Sequence, residues 1–367
     1  MEILNFNNKK MNVTVILPPP VQKPVGGYKI IYNYIKLLVS SNNSIKVNFL
    51  YLLNLPLKKK SKILNFLKLT YFNYIKSNFY NWFDFGDIST IKHSVGSNIK
   101  LIQNSDLIIV TAASTAIYFK ELKIDKPTIY LIQHYEDWDI PVKNLVETYH
   151  YGYENVVVSS WLQNILKNNN SNVSLLIPNP VDDLFDITTP FLERNSKSIF
   201  FLFHQVKWKG CKELIESLKI VLSKFPETKI SCFSATKKPA NFPEWISFHY
   251  QPSREDLKHL YNQHSIFISS SYSEGYGLTP AEAMACGCVV ITTDSGGVND
   301  FAINNITAFM VDSPPNPEQI SNKVFYIFNH ATTANKISLN GHKKISSFSW
   351  SENLKKLTFL IDEKAGK

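Results

Sequence analysis

Two glutamates, Glu274 and Glu282, stand with seven residues between them in SSSYSEGYGLTPAEAMACGCVVITTDSGG, residues 269–297. Gly275, Gly277 and Leu278 lie between them, followed by Thr279 and Pro280. An apolar run ends near Ser271, and a helix is expected from about Thr279, because proline suits a first helical turn. Glycines ahead of a helix N-terminus let backbone amides approach and point at an anion. A carboxylate beside an anion site needs hydroxyl donors, and sugar or ribose hydroxyls are such donors. The segment therefore reads as phosphate on amides with polyol on carboxylates.

Gly275-x-Gly277 with Asp294 downstream imitates a dinucleotide fingerprint, G-x-G-x-x-G with a later acid. Pro280 occupies the place of the third glycine, and the segment falls late in the chain, so a nicotinamide-cofactor reading is disfavoured. Three further places could carry chemistry. Gly26 and Gly27, in PPPVQKPVGGYKIIYNY (18–34), separate a strand from a helix and permit close backbone approach to a ligand. His134, in LIQHYEDWD (131–139), follows a strand end, where α/β ligand sites cluster. Its neighbours Tyr135, Glu136 and Trp138 are candidates for acceptor contacts. Asp137-Trp138-Asp139 forms a D-x-D triplet, a pattern common by chance, and no metal is expected.

Those residues need elements to hold them. Short β-branched runs alternate with helical-period segments, the pattern of βα units around a parallel sheet. Strands are predicted at 13–17, 46–53, 106–110, 128–132 and 155–159, and again at 198–203, 229–233, 246–250, 265–269 and 289–293. Helices are predicted at 27–39, 161–167, near 212–224, 254–263, 279–287 and 317–329. Two such series in 367 residues suggest two Rossmann-like domains. LLIPNPVDDLF (175–185) is the expected connector. The expected division is 1–178, 179–344 and a C-terminal amphipathic helix, 345–367, which returns to the first domain.

Composition sets the wider bounds. Hydrophobic residues make up 44% and charged residues 19%, which excludes a disordered or fibrous chain. The net charge is +9, yet Arg194 and Arg254 are the only arginines, which argues against a sequence-specific nucleic-acid reader. The four cysteines (Cys211, Cys232, Cys286, Cys288) lack the spacing of a zinc site or a disulfide framework. The N-terminus lacks a signal-peptide pattern, and no apolar run reaches ~18 residues. A cytoplasmic protein is expected, peripheral on the inner membrane face if residues 54–83 act as a surface patch. That stretch interleaves six lysines with eight aromatics; an exposed helical insertion covering its own domain is the plainer reading.

The run EGYGLTPAEAMACG (274–287) resembles the donor-site signature of family 4 retaining glycosyltransferases, E-G-[FY]-G-L-x-x-x-E-A-M-A-C-G. The resemblance extends over about 177–350, through IPNPVD (177–182), SREDLKHLYNQHSIFISSS (253–271) and FSW (348–350). It implies a GT-B fold, two Rossmann-like domains facing a cleft. It also implies that Glu274 meets the hexose hydroxyls, Glu282 the ribose, and the amides around Gly275, Gly277 and Leu278 the sugar and diphosphate. Lys209, in KWKG (207–210), matches the family's diphosphate lysine. The arginine usual about five residues earlier is missing; His204 and Gln205 stand there, with Lys207 nearby as a second phosphate contact. Gly26 and Gly27 would line the cleft, and His134 would lie near the donor sugar.

The resemblance thus implies transfer of a hexosyl or deoxyhexosyl unit from a nucleotide diphosphate sugar to a glycan or lipid-linked glycan, without metal or other cofactor. Glu274, His134 and Lys209 would be the catalytic set. Rhamnosyltransferases of bacterial surface-polysaccharide assembly show a similar Q-H-x-E run, which favours a deoxyhexose donor. The rivals are another GT-B enzyme, an epimerase or phosphorylase, and a non-catalytic polyanion or membrane-surface binder driven by the basic charge.

Overall fold

The computed structural model describes residues 10–42, 44–53, 82–86, 90–138 and 140–365. The chain divides into two compact units. The first comprises residues up to Val158, Leu162–Ile177 and Trp350 onward; the second comprises Ser159–Trp161 and Pro178–Ser349. Most of the lysine- and aromatic-rich stretch 54–83, and Asp139, lie outside the described residues. Among the described residues no helix is long and apolar enough to cross a membrane.

The first unit is a seven-stranded sheet. In chain order it runs β1 (Met11–Leu17), α1 (Gly26–Ser41), β2 (Ile45–Tyr51), β3 (Ile91–Val95), α2 (Ile99–Gln103), β4 (Leu107–Val110), α3 (Ala113–Glu121), β5 (Thr128–Ile132), α4 (Val142–Thr148), β6 (Glu154–Val157), α5 (Ser160–Asn168) and β7 (Leu175–Leu176). The spatial order is 3-2-1-4-5-6-7, and every pairing is parallel. Such strands bury both faces, which is why β4 and β5 read as unbroken apolar runs without alternation.

The second unit repeats the plan: β8 (Asn195–Leu202), α6 (Cys211–Lys224), β9 (Lys229–Ser234), β10 (Ser247–Tyr250), α7 (Arg254–Gln263), β11 (His264–Ser269), α8 (Leu278–Ala285), β12 (Val289–Thr293), β13 (Phe309–Val311), α9 (Pro317–Asn329) and α10 (Ala331–Ile345). Its order is 10-9-8-11-12-13, again parallel. Ile199, Phe201, Ile268 and Ile291 from the sheet pack with Leu214, Leu218 and Val221 of α6 and with Val324 and Ile327 of α9. Each such buried side chain contributes about 1.5–3 kcal/mol relative to exposure.

The last helix, α11 (Trp350–Ala365), belongs to the first unit. Trp350 packs edge-on against Tyr34 at 5.0 Å, and Asn353 Nδ2 donates to the Tyr34 hydroxyl at 3.1 Å. Lys364 Nζ reaches Glu154 at 2.7 Å. This aromatic contact, hydrogen bond and ion pair, together with the buried Leu354, Leu357, Leu360 and Ile361, hold the returning helix.

Several elements have no counterpart in the sequence pattern, among them β3, α2, α3, α4, β13 and α10. Helix α3, ASTAIYFKE, is buried around nearly its whole circumference, so it shows no amphipathic stripe. Helix α10 carries Thr, Asn and Gly341; a Cβ at Gly341 would lie 2.7 Å from Thr307 O and 2.8 Å from Met284 Cγ, so close packing demands glycine. Strand β3 is half-buried and follows the atypical stretch.

In each sheet the strand order reverses once, between β1 and β4 and between β8 and β11. At such a point the loops leaving the strand C-termini diverge and open a crevice. The loops concerned are 18–25 and 111–112 in the first unit and 203–210 and 270–277 in the second.

Candidate functional site

In the second unit the two reversal-point loops are stitched together. Tyr272 N donates to Trp208 O at 2.7 Å, and Ser270 Oγ donates to Lys209 O at 3.0 Å. Gly210 closes the short 3-10 turn Lys207–Lys209 with φ +61° and starts α6. A Cβ there would lie 2.0 Å from Ser270 O, so glycine is needed both for the left-handed backbone and for the close approach.

This arrangement brings Lys209 to Glu274. Lys209 Nζ lies 2.5 Å from Glu274 Oε1, with the two side chains 18% and 12% exposed. Ser271 Oγ donates to the same carboxylate oxygen at 2.6 Å. The ammonium also lies 4.2 Å from the centroid of the Trp208 ring. The Glu274 main chain is clamped in turn: its N–H donates to Ser295 O at 2.7 Å, and Gly297 N donates to its carbonyl at 2.8 Å. A Cβ on Gly297 would lie 2.1 Å from Gly275 O, so the two loops touch backbone to backbone.

Gly277, with φ +92°, is the N-cap of α8, and a Cβ there would meet Val298 Cγ1 at 2.6 Å. Leu278 and Thr279 follow, and the first turn carries no acidic residue, leaving the positive end of the helix uncompensated by its own side chains. Gly275 is buried. Glu282 lies on the second turn of α8, 7% exposed, and accepts a long contact, 3.4 Å, from the Tyr261 hydroxyl. Burial, then the Glu282 charge, pushes that phenol well above its ordinary range.

His204 lies on the loop after β8. Val206 N donates to His204 Nδ1 at 3.1 Å, so in the neutral ring the proton is on Nε2. Partial burial, then the neighbouring Lys209 charge, lowers its pKa. Lys207 is exposed on the adjoining turn. Lys207, Lys209, His204, Glu274, Gly275, Gly277, Leu278 and Glu282 therefore belong to one end of one sheet.

The remaining candidates belong to the first unit. Gly26 begins α1, and a Cβ on Gly27 would meet the Gln133 amide at 3.4 Å. His134 Nδ1 pairs with Tyr135 O at 3.1 Å, and its ring stands edge-on to Trp138 at 4.8 Å. Trp138 is 51% exposed. Burial and then the Asp137 charge raise the Tyr135 phenol. Glu136 turns to the N-terminus of α3: its Oε2 accepts from Ala113 N, the first residue of that helix, at 2.8 Å. Among the described residues no group of three His, Cys, Asp or Glu side chains is placed to hold a metal ion.

Sequence reasoning did not single out Ser271, Trp208, Ser295 or Gly297 as parts of the site. The S-G-G at 295–297 was the available signal; its meaning depends on Gly275 lying opposite it.

Two parallel-sheet α/β units of this order constitute the GT-B fold, and solved glycosyltransferase structures match it along nearly their full length. The sucrose-phosphate synthase structure from Thermosynechococcus elongatus covers 96% of this chain and 98% of its own, with a TM-score of 0.70 and 16% identity. Anabaena HepE in complex with UDP-glucose covers 95% and 99%, with a TM-score of 0.71 and 12% identity. Residues 188–344, most of the second unit, match the family model described as glycosyl transferases group 1. The capsular polysaccharide biosynthesis glycosyltransferase CapM of Staphylococcus aureus is 28% identical over 175 residues, 44% of this chain and 46% of its own. The chain spans about half the length of the curated relatives it matches.

Proposed function

We propose that this protein is a retaining glycosyltransferase. It moves a hexosyl or deoxyhexosyl unit from a nucleotide diphosphate sugar to a hydroxyl of a growing surface polysaccharide. The observation that carries the reading is the Lys209–Glu274 pair, set at the reversal point of the second sheet beside the α8 N-terminus. A cation, oriented amides and an acceptor carboxylate stand together there, which is the donor set a sugar diphosphate requires. The group 1 family match over the same unit and the similarity to CapM favour this reading.

In the mechanism, negative charge develops on the departing diphosphate. Lys209 Nζ, with Lys207 and the His204 Nε2–H, faces that charge as the glycosidic bond lengthens, and the α8 amides at Leu278 add fixed dipoles. Glu274 accepts from hexose hydroxyls, and Glu282 accepts from the ribose. Attack on the same face, with the departing phosphate oxygen taking the acceptor proton, retains the anomeric configuration. His134 is the further member of the catalytic set that the family resemblance implies. The Gln133-His134-x-Glu136 run favours a deoxyhexose such as rhamnose.

A thermal-stability screen against UDP-, GDP-, dTDP- and CMP-sugars tests the donor site. A ligand at about 100 times its Kd stabilises by roughly 2.7 kcal/mol, visible as a shift of several degrees. Product analysis then decides the reaction: an extended acceptor supports transfer, whereas epimerised donor or free sugar phosphate replaces it. No shift with any nucleotide sugar refutes the donor site.

A further inference from the structure

We infer that Glu136 is a positioning residue, the strut that fixes the His134 loop to the N-terminus of α3, and not a group that touches the acceptor. The inference rests on the transferase reading for its kinetic consequence alone. Glu136 Oε2 accepts from Ala113 N across 23 residues of sequence. That N–H opens α3, where an intrahelical partner is unavailable and a negative charge is favoured by the helix dipole. The two preceding amides have a separate partner, since Thr111 N and Ala112 N both donate to Thr115 Oγ1 at 3.0 Å. Glu136 thereby caps the first amide of a buried helix while tying down the loop that carries His134.

The surroundings fit a fixed charge. The Glu136 carboxylate contributes, after burial, to the raised pKa of Tyr28 of α1, Tyr130 of β5 and Tyr149 behind α4. One carboxylate thus lies within electrostatic reach of residues of α1, β5 and the end of α4. Gln133, at the other end of the loop, lies against Gly27. His134 thus lies between the Gln133 contact with Gly27 and the Glu136 hydrogen bond to Ala113 N.

Three variants test this. Glu136→Ala removes the acceptor, Glu136→Gln keeps an oxygen that can accept, and Ala113→Pro removes the donor. Proline is tolerated at the first position of a helix, and Ala112 already has the extended backbone that a residue before proline adopts (φ −155°, ψ 158°). Glu136→Ala and Ala113→Pro should each lower kcat by as much as about 100-fold, the cost of a catalytic group misplaced by ~1 Å. The nucleotide-sugar KM should stay unchanged, the double variant should lose no more than either single one, and Glu136→Gln should restore most of the rate. The His134 ring resonances in histidine-labelled protein should move in Glu136→Ala and return in Glu136→Gln. If Glu136→Gln raises the acceptor KM as much as Glu136→Ala does, the carboxylate touches substrate and the inference fails. Unmoved His134 resonances also overturn it, and that readout stands even if wild-type protein transfers no sugar. Should Glu136→Ala fail to fold, Ala113→Pro and Glu136→Gln decide the matter.

Discussion

Lys209→Met removes the cation from a carboxylate that is 12% exposed. Losing one partner of a fully buried pair costs about 3–5 kcal/mol, and an exposed pair is worth about 0–1. With side chains 18% and 12% exposed, the pair lies between these limits, and we expect a loss of about 2 kcal/mol. Glu274→Gln should cost about 1.5 kcal/mol, because the amide keeps an oxygen for Ser271 Oγ. The double variant should lose about 2 kcal/mol and not the sum, a coupling of roughly 1.5 kcal/mol between residues in contact. Urea unfolding of the four proteins reads this directly. Transfer should behave in the opposite way. Each single variant loses about 100-fold in kcat, the effect of deleting one preorganised electrostatic contact, and the double variant recovers nothing. Additive stability losses would mean that the pair is not formed, and recovery of transfer in the double variant would remove both residues from the donor site.

Gly210→Ala should lose at least about 2 kcal/mol, since alanine both resists a φ of +61° and meets Ser270 O; wild-type urea stability would refute that packing. Glu282→Ala should weaken nucleotide binding about tenfold by calorimetry, the scale of one hydrogen bond to a charged group, and unchanged affinity would deny it the ribose. His264 is buried against Phe200, its ring nitrogens held by Leu260 O and Ser231 Oγ, and burial pushes its pKa down to about 4. The unfolded chain binds that proton first, so stability is complete above about pH 6.5 and falls toward pH 4, by about 3 kcal/mol for this group. The wild-type pH slope over that range should exceed that of His264→Gln; equal slopes would refute the assignment.

Much of the fold was legible in the sequence. Parallel strands buried on both faces must be short β-branched runs, and IIV in β4 or VVITT in β12 announced them. Helices with one apolar stripe, such as α6, α7 and α9, were found within a residue or so of their ends. Helix α3 was not, because a helix buried on most sides has no stripe to read. Among the site residues, Gly277 was readable because a left-handed turn into a helix selects glycine whatever surrounds it.

By itself the sequence determined local conformations and chemical types: where the chain turns, which faces are apolar, which loops carry carboxylates and lysines. Only the tertiary structure decided which of these meet. Lys209 and Glu274 are 65 residues apart, and nothing in either segment specifies the other. They are neighbours because β8 and β11 pair side by side at the reversal point, which puts their following loops on one edge. Glu136 and the first amide of α3 meet for the same reason, since β4 and β5 are adjacent. Conformational preference acts over a few residues along the chain, whereas ion pairing and capping act over a few ångströms in space. The sheet order is what converts one distance into the other.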